Sequence, residues 1–590
     1  MIQWIDAFER ATCPQKMEIA MTKNKEAAAI FSRIADALEI KGEAGFKVLA
    51  YRKAARVLEN LGEGVETVSR ENRLRDIEGI GSGIASKVEE YLQTGGMKKL
   101  EEAQAGIPES LFDLLQIQSL GPKTIRLMQT ELGVRGLVDL KKVIQDGSLA
   151  SLRGMGAKKV ENIRKGIEIY EKAQQRIPLH IALTLAEEVI DYLRGAPGIG
   201  RLSPAGSLRR MRETIGDIDI LASGKDGASI IRFFTRFPRV KRVLAEGVTK
   251  SSVMIETEQG SLQVDLRIVA EAEYGAALQY FTGSKAHNIK LRSLAKDKGL
   301  KISEYGVFRG QKRIAGREEA EVYAALGLPL FPPEMREDRG EIELAEKKRK
   351  LPVLVELSDI KGDLHVHSDW SDGHVSLNGL AELGRNLKYS YLAVCDHSQS
   401  ARYAGGLSPE KLAEQIKEID DLNRRTKGIQ LLKGTEVDIL ADGRLDFPDE
   451  LLRRLDIVVA SVHSGFKRDV TARMIKAMKN PHLDIIGHPS GRLISGREGY
   501  EVDLDQVLEA ARKHGKSLEL NAYFDRLDLN EFYLRKAKDR GIMISLGTDM
   551  HSAGGLEMMR LGVGIARRAW LEKKDILNCL GADNLRKRLG

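Results

Sequence analysis

The sequence predicts a multidomain chain of three unlike parts: a helical front, an α+β middle and a C-terminal α/β barrel. Three observations carry this. Between residues 77 and 163 three short glycine turns, each set in helical patterning, form a loose repeat. Beyond residue 200, β-type segments hold carboxylates among apolar residues. From 359 onward short apolar strands alternate with amphipathic helices, the pattern of parallel strands joined by crossover helices. A chain of 590 residues is too long for one hydrophobic core, and about three to five domains are expected.

The front opens on two helices, with apolar residues every three or four positions in AAAIFSRIADALEI and FKVLAYRKAARVLENL. The turns follow in IEGIGSGIASKVEEYL (77–92), IQSLGPKTIRLM (117–128) and LRGMGAKKVENI (152–163). A glycine turn feeding a helix exposes unpaired N–H groups with the positive end of the helix dipole behind them. Phosphate oxygens fill such a place without any reading of base identity. One turn of this kind also serves simply to end a helix; three, each followed by Lys or Arg, point to a polyanion. Gly79, Gly81, Gly121, Lys123, Gly154 and Gly156 are the candidate contacts. The net charge of +8 agrees: residues 1–350 hold 57 Lys and Arg against 49 Asp and Glu, and residues 351–590 hold 36 against 36. So modest an excess also fits uneven sampling.

Other classes are excluded. No apolar run reaches the roughly 18 residues of a membrane span. Residues 1–20 carry Asp6, Glu9 and Glu18 without an apolar stretch, so they read as an extension or an upstream start rather than a secretory leader. Cys13, Cys395 and Cys579 are scattered and odd in number, which speaks against a disulfide framework and for a reducing cytoplasm.

The middle holds AGSLRRMRETIGDIDIL (205–221). In a strand Asp217 and Asp219 point the same way, and two carboxylates on one face repel unless a divalent cation lies between them. Asp265, in LQVDLRIV (262–269), sits on a second strand among apolar residues, where an unpaired charge is costly. Three convergent carboxylates can hold two Mg²⁺ (or Mn²⁺) ions roughly 3.5–4 Å apart, which suits in-line phosphoryl transfer. Gly206, Ser207 and Arg210, just upstream, are placed for a triphosphate. The blander alternative is a strand that ends in solvated aspartates.

Here the motifs reach a family. GSLRRMRETIGDID, VDLRIV, YFTGSKAHNIKLRSLAKDKGLKISEY (280–305) and FPPEMREDRGE (331–341) resemble DNA polymerase family X, the group of DNA polymerase beta, over residues 21–343. The glycine turns resemble that group's helix-hairpin-helix elements. The resemblance implies that Asp217, Asp219 and Asp265 are the metal-binding catalytic acids of an α+β nucleotidyltransferase palm, and that Gly206, Ser207, Arg210 and Gly216 line the triphosphate site. Tyr280, Phe281, Gly283 and Asn288 would contact the incoming sugar and base, with Arg292, Glu304 and Tyr305 supporting the thumb. In the small N-terminal domain Lys87 matches a Schiff-base lyase nucleophile, and Lys47, Tyr51 and Arg52 match a 5′-phosphate pocket. Three positions depart from the family. Gly83 stands where lyase-active relatives carry a second phosphate-binding lysine, Lys285 replaces an acid that stacks on the incoming base in the animal enzyme, and Ile215 replaces a serine. The other reading of Lys87 is a DNA-backbone contact.

In the back, six of eleven histidines fall at predicted strand ends. His365 and His367 lie in DLHVH, and Asp372 follows in SDG. His397 is in VCDHS, Glu436 in KGTEVDI, His463 in ASVHSG, His488 in IIGHPSG, and Asp549 and His551 in LGTDMH. A barrel gathers strand ends at one rim, so distant ligands can converge. Mixed His and carboxylate donors without Cys suit Zn²⁺, Mn²⁺ or Fe²⁺ better than Ca²⁺. Nine donors exceed one ion's needs and suit two or three metals bridged by Glu436, for phosphoester hydrolysis. This segment resembles the polymerase and histidinol phosphatase (PHP) domain, with all nine positions of its metal motif present, and the resemblance implies a distorted (β/α)7 barrel. His374, His482 and His514 read as surface or packing residues, and Arg402, Lys433 and Arg492 as candidate phosphate contacts.

Together these readings divide the chain into an extension (1–20), a 5′-phosphate-binding lyase-like domain (21–100), a helix-hairpin-helix DNA-binding domain (101–180), palm (181–270), thumb (271–335), linker (336–358) and PHP domain (359–590). Residues 336–350, REDRGEIELAEKKRK, are dense in charge and read as a linker or a solvated helix. The whole resembles bacterial and archaeal family X polymerases that join a gap-filling polymerase to a phosphoesterase with 3′–5′ exonuclease, 3′-end-cleaning and abasic-site activities. Gapped or nicked DNA and dNTPs are the expected partners, for a cytoplasmic monomer free of membranes. Three alternatives stay open: a template-independent nucleotidyltransferase, a DNA-end-binding scaffold with a small-molecule phosphatase, and a PHP fold that only braces the polymerase.

Overall fold

A computed structural model describes residues 23–589 apart from 44, 60–64, 78, 95, 118–119, 175, 258, 349 and 495. The expected extension and Cys13 lie outside the described residues. The chain forms two compact units, residues 1–168 with 402–406, and residues 169–401 with 407–590.

The first unit is helical. Helices Lys23–Lys41 and Gly45–Glu59 bury Phe31, Ile34, Ala35 and Leu38, together with Ala54, Ala55 and Leu58, the residues their periodicity sets on one face. Each glycine turn feeds a helix as expected. Gly81 precedes Ser82–Thr94, Gly121 caps Pro122–Leu132, and Gly156 precedes Ala157–Gln174.

The second unit begins with a five-stranded sheet in the order Ile199–Pro204, Asp217–Gly224, Gly260–Val269, Lys250–Thr257, Val240–Glu246. Its central pair is parallel and the other pairings antiparallel. Helix Leu179–Leu193 covers one face with Leu185, Ala186, Val189 and Leu193. The segment expected as thumb has its own core of Leu291, Val307, Tyr323 and Phe331 around three short antiparallel strands.

A buried ionic knot ties these two parts. Glu319 accepts hydrogen bonds from Arg209 Nη1 and Nη2, both at 2.8 Å, and from the fully buried Arg336. Burial would raise the Glu319 carboxyl, but Arg336 and Arg209 outweigh it and hold it down at about 2. Replacing one member strands the others, so Glu319→Gln is expected to cost roughly 3–5 kcal/mol of stability. A carboxyl depressed on folding stabilises above its ordinary range and loses that contribution as pH falls toward 2. Urea melts of the wild type and Glu319→Gln should therefore differ most above pH 5 and converge on acidification.

The expected linker is not solvated at its start. Arg336 and Glu341 are completely buried, Glu341 lies 2.7 Å from the buried His287 ring, and Ile342 and Ala345 join the thumb core. Dense charge misleads here because Arg336 and Glu341 find buried partners, Glu319 and His287, outside the stretch. Val355, later in the stretch, is buried with its N–H on the Leu571 carbonyl.

The back is a barrel of seven parallel strands in chain order: Gly362–Val366, Tyr391–Val394, Gln430–Asp438, Ile457–Ser461, Ile485–Ile486, Ser517–Asn521 and Ile544–Gly547. Backbone bonds from Asp549 N to His365 O (2.9 Å) and from His367 N to Met550 O (3.0 Å) close the last strand onto the first. The fully buried strands explain why they read as continuous apolar runs.

Candidate active sites

The palm site is set by register. Asp217 and Asp219 share a face of their strand, and Asp265 stands directly opposite Asp219 on the parallel neighbour. Burial, then repulsion from Asp217 and Asp265, pushes the Asp219 carboxyl up to about 7. Such a site resists holding three negative charges by itself, which is how a cation-binding cluster behaves. Gly206 adopts a left-handed φ of +60°, and a Cβ there would lie 2.2 Å from Asp219 Oδ2. Only glycine lets the turn close over the acid.

Two partners of Asp265 escaped the sequence. Lys250 Nζ lies 3.0 Å from its Oδ2, and Gln263 Nε2 donates to its Oδ1 at 2.7 Å. Lys250 comes from the antiparallel strand beside Asp265, a pairing that linear spacing does not reveal. Together with Asp219, Asp265, Arg267 and Phe281 it lines a pocket. Arg210 is mostly buried; its guanidinium donates to Glu337 Oε1 at 3.1 Å and to the Thr282 carbonyl, beside Gly283. Ser207 and Gly216 are half-buried on the same turn and at the strand entry. Asn288 is held between Gln279 Nε2 and the Tyr280 carbonyl, the Tyr280 and Phe281 rings meet edge to face at 5.2 Å, and Arg292 is exposed. Glu304 is half-buried and Tyr305 is exposed.

In the first unit, Lys87 Nζ donates to the Gly83 carbonyl at 2.8 Å, and Lys47 pairs with Glu43. Tyr51 stacks on Phe31. The Arg52 guanidinium lies between Asp36 and Glu39, 2.8 Å from each, and so braces two helices.

At the barrel rim all nine expected donors converge. His367, Asp372, His397 and His551 present atoms within 4.8 Å of one another, as do His365, His367 and Asp549, and His397, Glu436 and His463. His488 Nε2 lies 2.9 Å from Glu436 Oε1. His365 Nε2 and His367 Nδ1 are buried without a hydrogen-bond partner, a state that imidazoles tolerate when a metal takes the lone pair, and His367 Nε2 lies 3.1 Å from Asp549 Oδ1. Burial would raise the Glu436 carboxyl, yet His463, His397 and His365 hold it well below the usual range. Burial would lower His463, but Glu436 and Asp438 push it up to about 10. Donor chemistry and burial thus fit divalent ions.

Supporting residues were missed. Glu519 Oε1 lies 2.7 Å from His365 Nδ1 and its Oε2 accepts the His488 N–H at 2.6 Å. Asp438 stands 3.4 Å from His463, and Arg526 and Asn521 approach Asp549 Oδ2 at 3.5 and 3.0 Å. Such partners orient ligands, and a lone acid in the apolar run SLELN was the available signal. Two expected phosphate contacts are engaged elsewhere. Lys433 pairs with Asp420 at 3.1 Å, and Arg492 pairs with both oxygens of Glu213. Arg402 is exposed, as is His374, while His482 and His514 are half-buried.

Comparison with known proteins is concordant. Residues 22–97 match the helix-hairpin-helix domain family, 277–337 the DNA polymerase beta thumb, and 363–523 the PHP domain. The chain is 41% identical over 560 residues to the "DNA polymerase/3'-5' exonuclease PolX" of Bacillus subtilis (strain 168), covering 94% of this chain and 97% of that one. It is 29% identical over 335 residues to DNA polymerase lambda of Rattus norvegicus, covering 52% of this chain and 54% of that one. It is also 33% identical over 171 residues to a probable phosphatase of Thermoanaerobacter sp. (strain X514), covering 27% of this chain and 67% of that one.

Proposed function

We propose, on the premise that this chain belongs to the family of the DNA polymerase/3′–5′ exonuclease PolX, that it extends primer 3′ ends at one centre and removes 3′-terminal groups at another. The single observation behind the pairing is that two separate acid or imidazole clusters, each suited to divalent ions, lie in one chain. Asp217, Asp219 and Asp265 hold Mg²⁺ or Mn²⁺, Gly206, Ser207, Arg210 and Gly216 seat a dNTP triphosphate, and Tyr280, Phe281, Gly283 and Asn288 meet its sugar and base. The nine rim residues hold two or three Mn²⁺, Zn²⁺ or Fe²⁺ ions. Bound there, such ions supply Lewis acidity and a nucleophile at neutral pH. Glu519 and Asp438 orient imidazoles, and Arg526 offers a cation to a phosphate beside Asp549.

The substrate is gapped or nicked DNA in repair, held by the glycine turns, Lys123 and Arg292, with 3′-end cleaning and abasic-site incision at the barrel. Lys87 is the residue for 5′-deoxyribose phosphate removal, and Lys47 and Tyr51 for the 5′-phosphate. The domain limits are those read above, with residues 336–345 assigned to the thumb. A cytoplasmic monomer completes the reading; among the described residues no helix is long and apolar enough to cross a membrane.

The test is one gapped substrate with a blocked 3′ end, supplied with Mn²⁺ and nucleotides. Asp217→Ala is expected to stop extension and spare end removal, and His365→Ala to do the reverse. If folded Asp217→Ala also lost hydrolysis, the two-centre reading would fall.

A further inference from the structure

A helix that follows the barrel's last strand, Met559–Arg568, sets Arg560, Gly564 and Arg568 at four-residue spacing along one face. All three meet the palm. Arg560 Nη1 donates to Glu187 Oε1 at 2.9 Å. Met211 lies so close to Gly564 that a Cβ there would come within 2.3 Å of its Cε. Arg568, its side chain fully buried, donates from Nη1 to the Arg210 carbonyl at 2.6 Å and to Glu337 Oε1 at 2.9 Å, and from Nη2 to Glu531 Oε1 at 2.8 Å. The loop that follows His488 adds Arg492 on Glu213, at 2.6 and 3.1 Å.

The palm turn 206–213 is therefore held at three successive points by the other catalytic domain. It needs holding. Met211 has a left-handed φ of +54°, a conformation that a non-glycine residue adopts at a cost of roughly 1–2 kcal/mol. The electrostatics also matter. Glu337 Oε1 accepts from both Arg210 and Arg568, while Arg568 also pairs with Glu531 Oε1, so the Arg210 guanidinium beside Gly283 has only a shared carboxylate oxygen. Without Arg568, Glu337 would be free to close on Arg210 alone.

We infer that Arg568 is a positioning residue of the polymerase: helix Met559–Arg568 of the hydrolytic barrel fixes the triphosphate-binding turn and, by sharing Glu337, leaves the Arg210 guanidinium directed toward the nucleotide. This assignment rests on reading that turn as the triphosphate site. Arg560 joins the same two domains without touching the turn, and so separates positioning from general adhesion.

The experiment is steady-state primer extension by the full-length chain carrying Arg568→Met, with each dNTP varied. The KM for nucleotide should rise about tenfold, the scale of one lost charge-assisted hydrogen bond, while kcat, the KM for primer and 3′-end hydrolysis hold. Arg568→Lys should recover part of the loss, and Arg560→Met should leave the nucleotide KM unchanged. A wild-type KM in Arg568→Met, or an equal rise in Arg560→Met, overturns the inference. Should Arg568→Met fail to fold, Gly564→Ala, which displaces Met211, is expected to raise the same KM with hydrolysis intact, and an unchanged KM there overturns it too. Arg210→Ala run alongside separates the two levels. If it leaves the nucleotide KM unchanged, the triphosphate reading itself fails; if it raises the KM and Arg568→Met does not, only the role of Arg568 fails.

Discussion

Glu436→Gln should reduce 3′-end hydrolysis by roughly 10³-fold or more, the several kcal/mol that a metal cluster contributes to phosphoester cleavage, while primer extension continues. The reason is the crowd around one carboxylate. His397 Nδ1 and His488 Nε2 lie 2.9 Å from its oxygens, His463 Nε2 3.3 Å, His365 Nε2 3.6 Å and His367 Nε2 3.8 Å. Glutamine keeps the shape and removes the charge, leaving the imidazoles without the anion that lets cations gather among them. Metal content measured on the same preparations should fall below that of the wild type. Near-normal turnover with full metal content in the variant would mean that Glu436 does not bridge the cluster.

The barrel rim was legible in the sequence because short apolar parallel strands end abruptly, and most of the ligands sit near such an end. His397, His463 and His488 could each be assigned from one strand's own pattern. What linear reading missed are contacts made across strands: Glu519 under His365, Lys250 beside Asp265. Neither has a period or a motif, only a register that exists after folding. The charge-dense stretch at 336–345 failed for a related reason. Hydropathy assigns Arg336 and Glu341 to water, whereas Glu319 and His287, far away in sequence, give them buried partners. Arg492 and Arg52 likewise have carboxylate partners, Glu213 and the pair Asp36 and Glu39, that linear reading did not reveal. In the palm, by contrast, strand alternation placed Asp217 and Asp219 on one face, and an acid set among apolar residues on a second strand marked Asp265 as the third.

Asp219→Asn is the second large effect, and its two halves have opposite signs. Extension should fall by roughly 10³-fold or more, since one of three carboxylates that hold the ions is gone. Stability should rise in the ion-free protein at pH 8. Burial, Asp217 and Asp265 lift the Asp219 carboxyl from its ordinary 3.8 to about 7. A group raised on folding contributes stability that is present below its unfolded pKa and is lost as pH rises through the folded value. At pH 8 with EDTA the wild type therefore carries an ionised Asp219 that its surroundings oppose, at a cost of up to a few kcal/mol, and the asparagine variant does not. Melting curves in EDTA should show the wild type losing stability between pH 4 and 8 more steeply than the variant. Added Mg²⁺ should reverse the order, because the ion is what the ionised cluster is built to meet, and its affinity for the wild type should weaken below pH 7 as protons compete for Asp219. A variant inactive in extension yet more stable than its parent without metal cannot owe its inactivity to damaged folding; equal stability of the two proteins in EDTA at pH 8 would show instead that the three carboxylates do not strain one another.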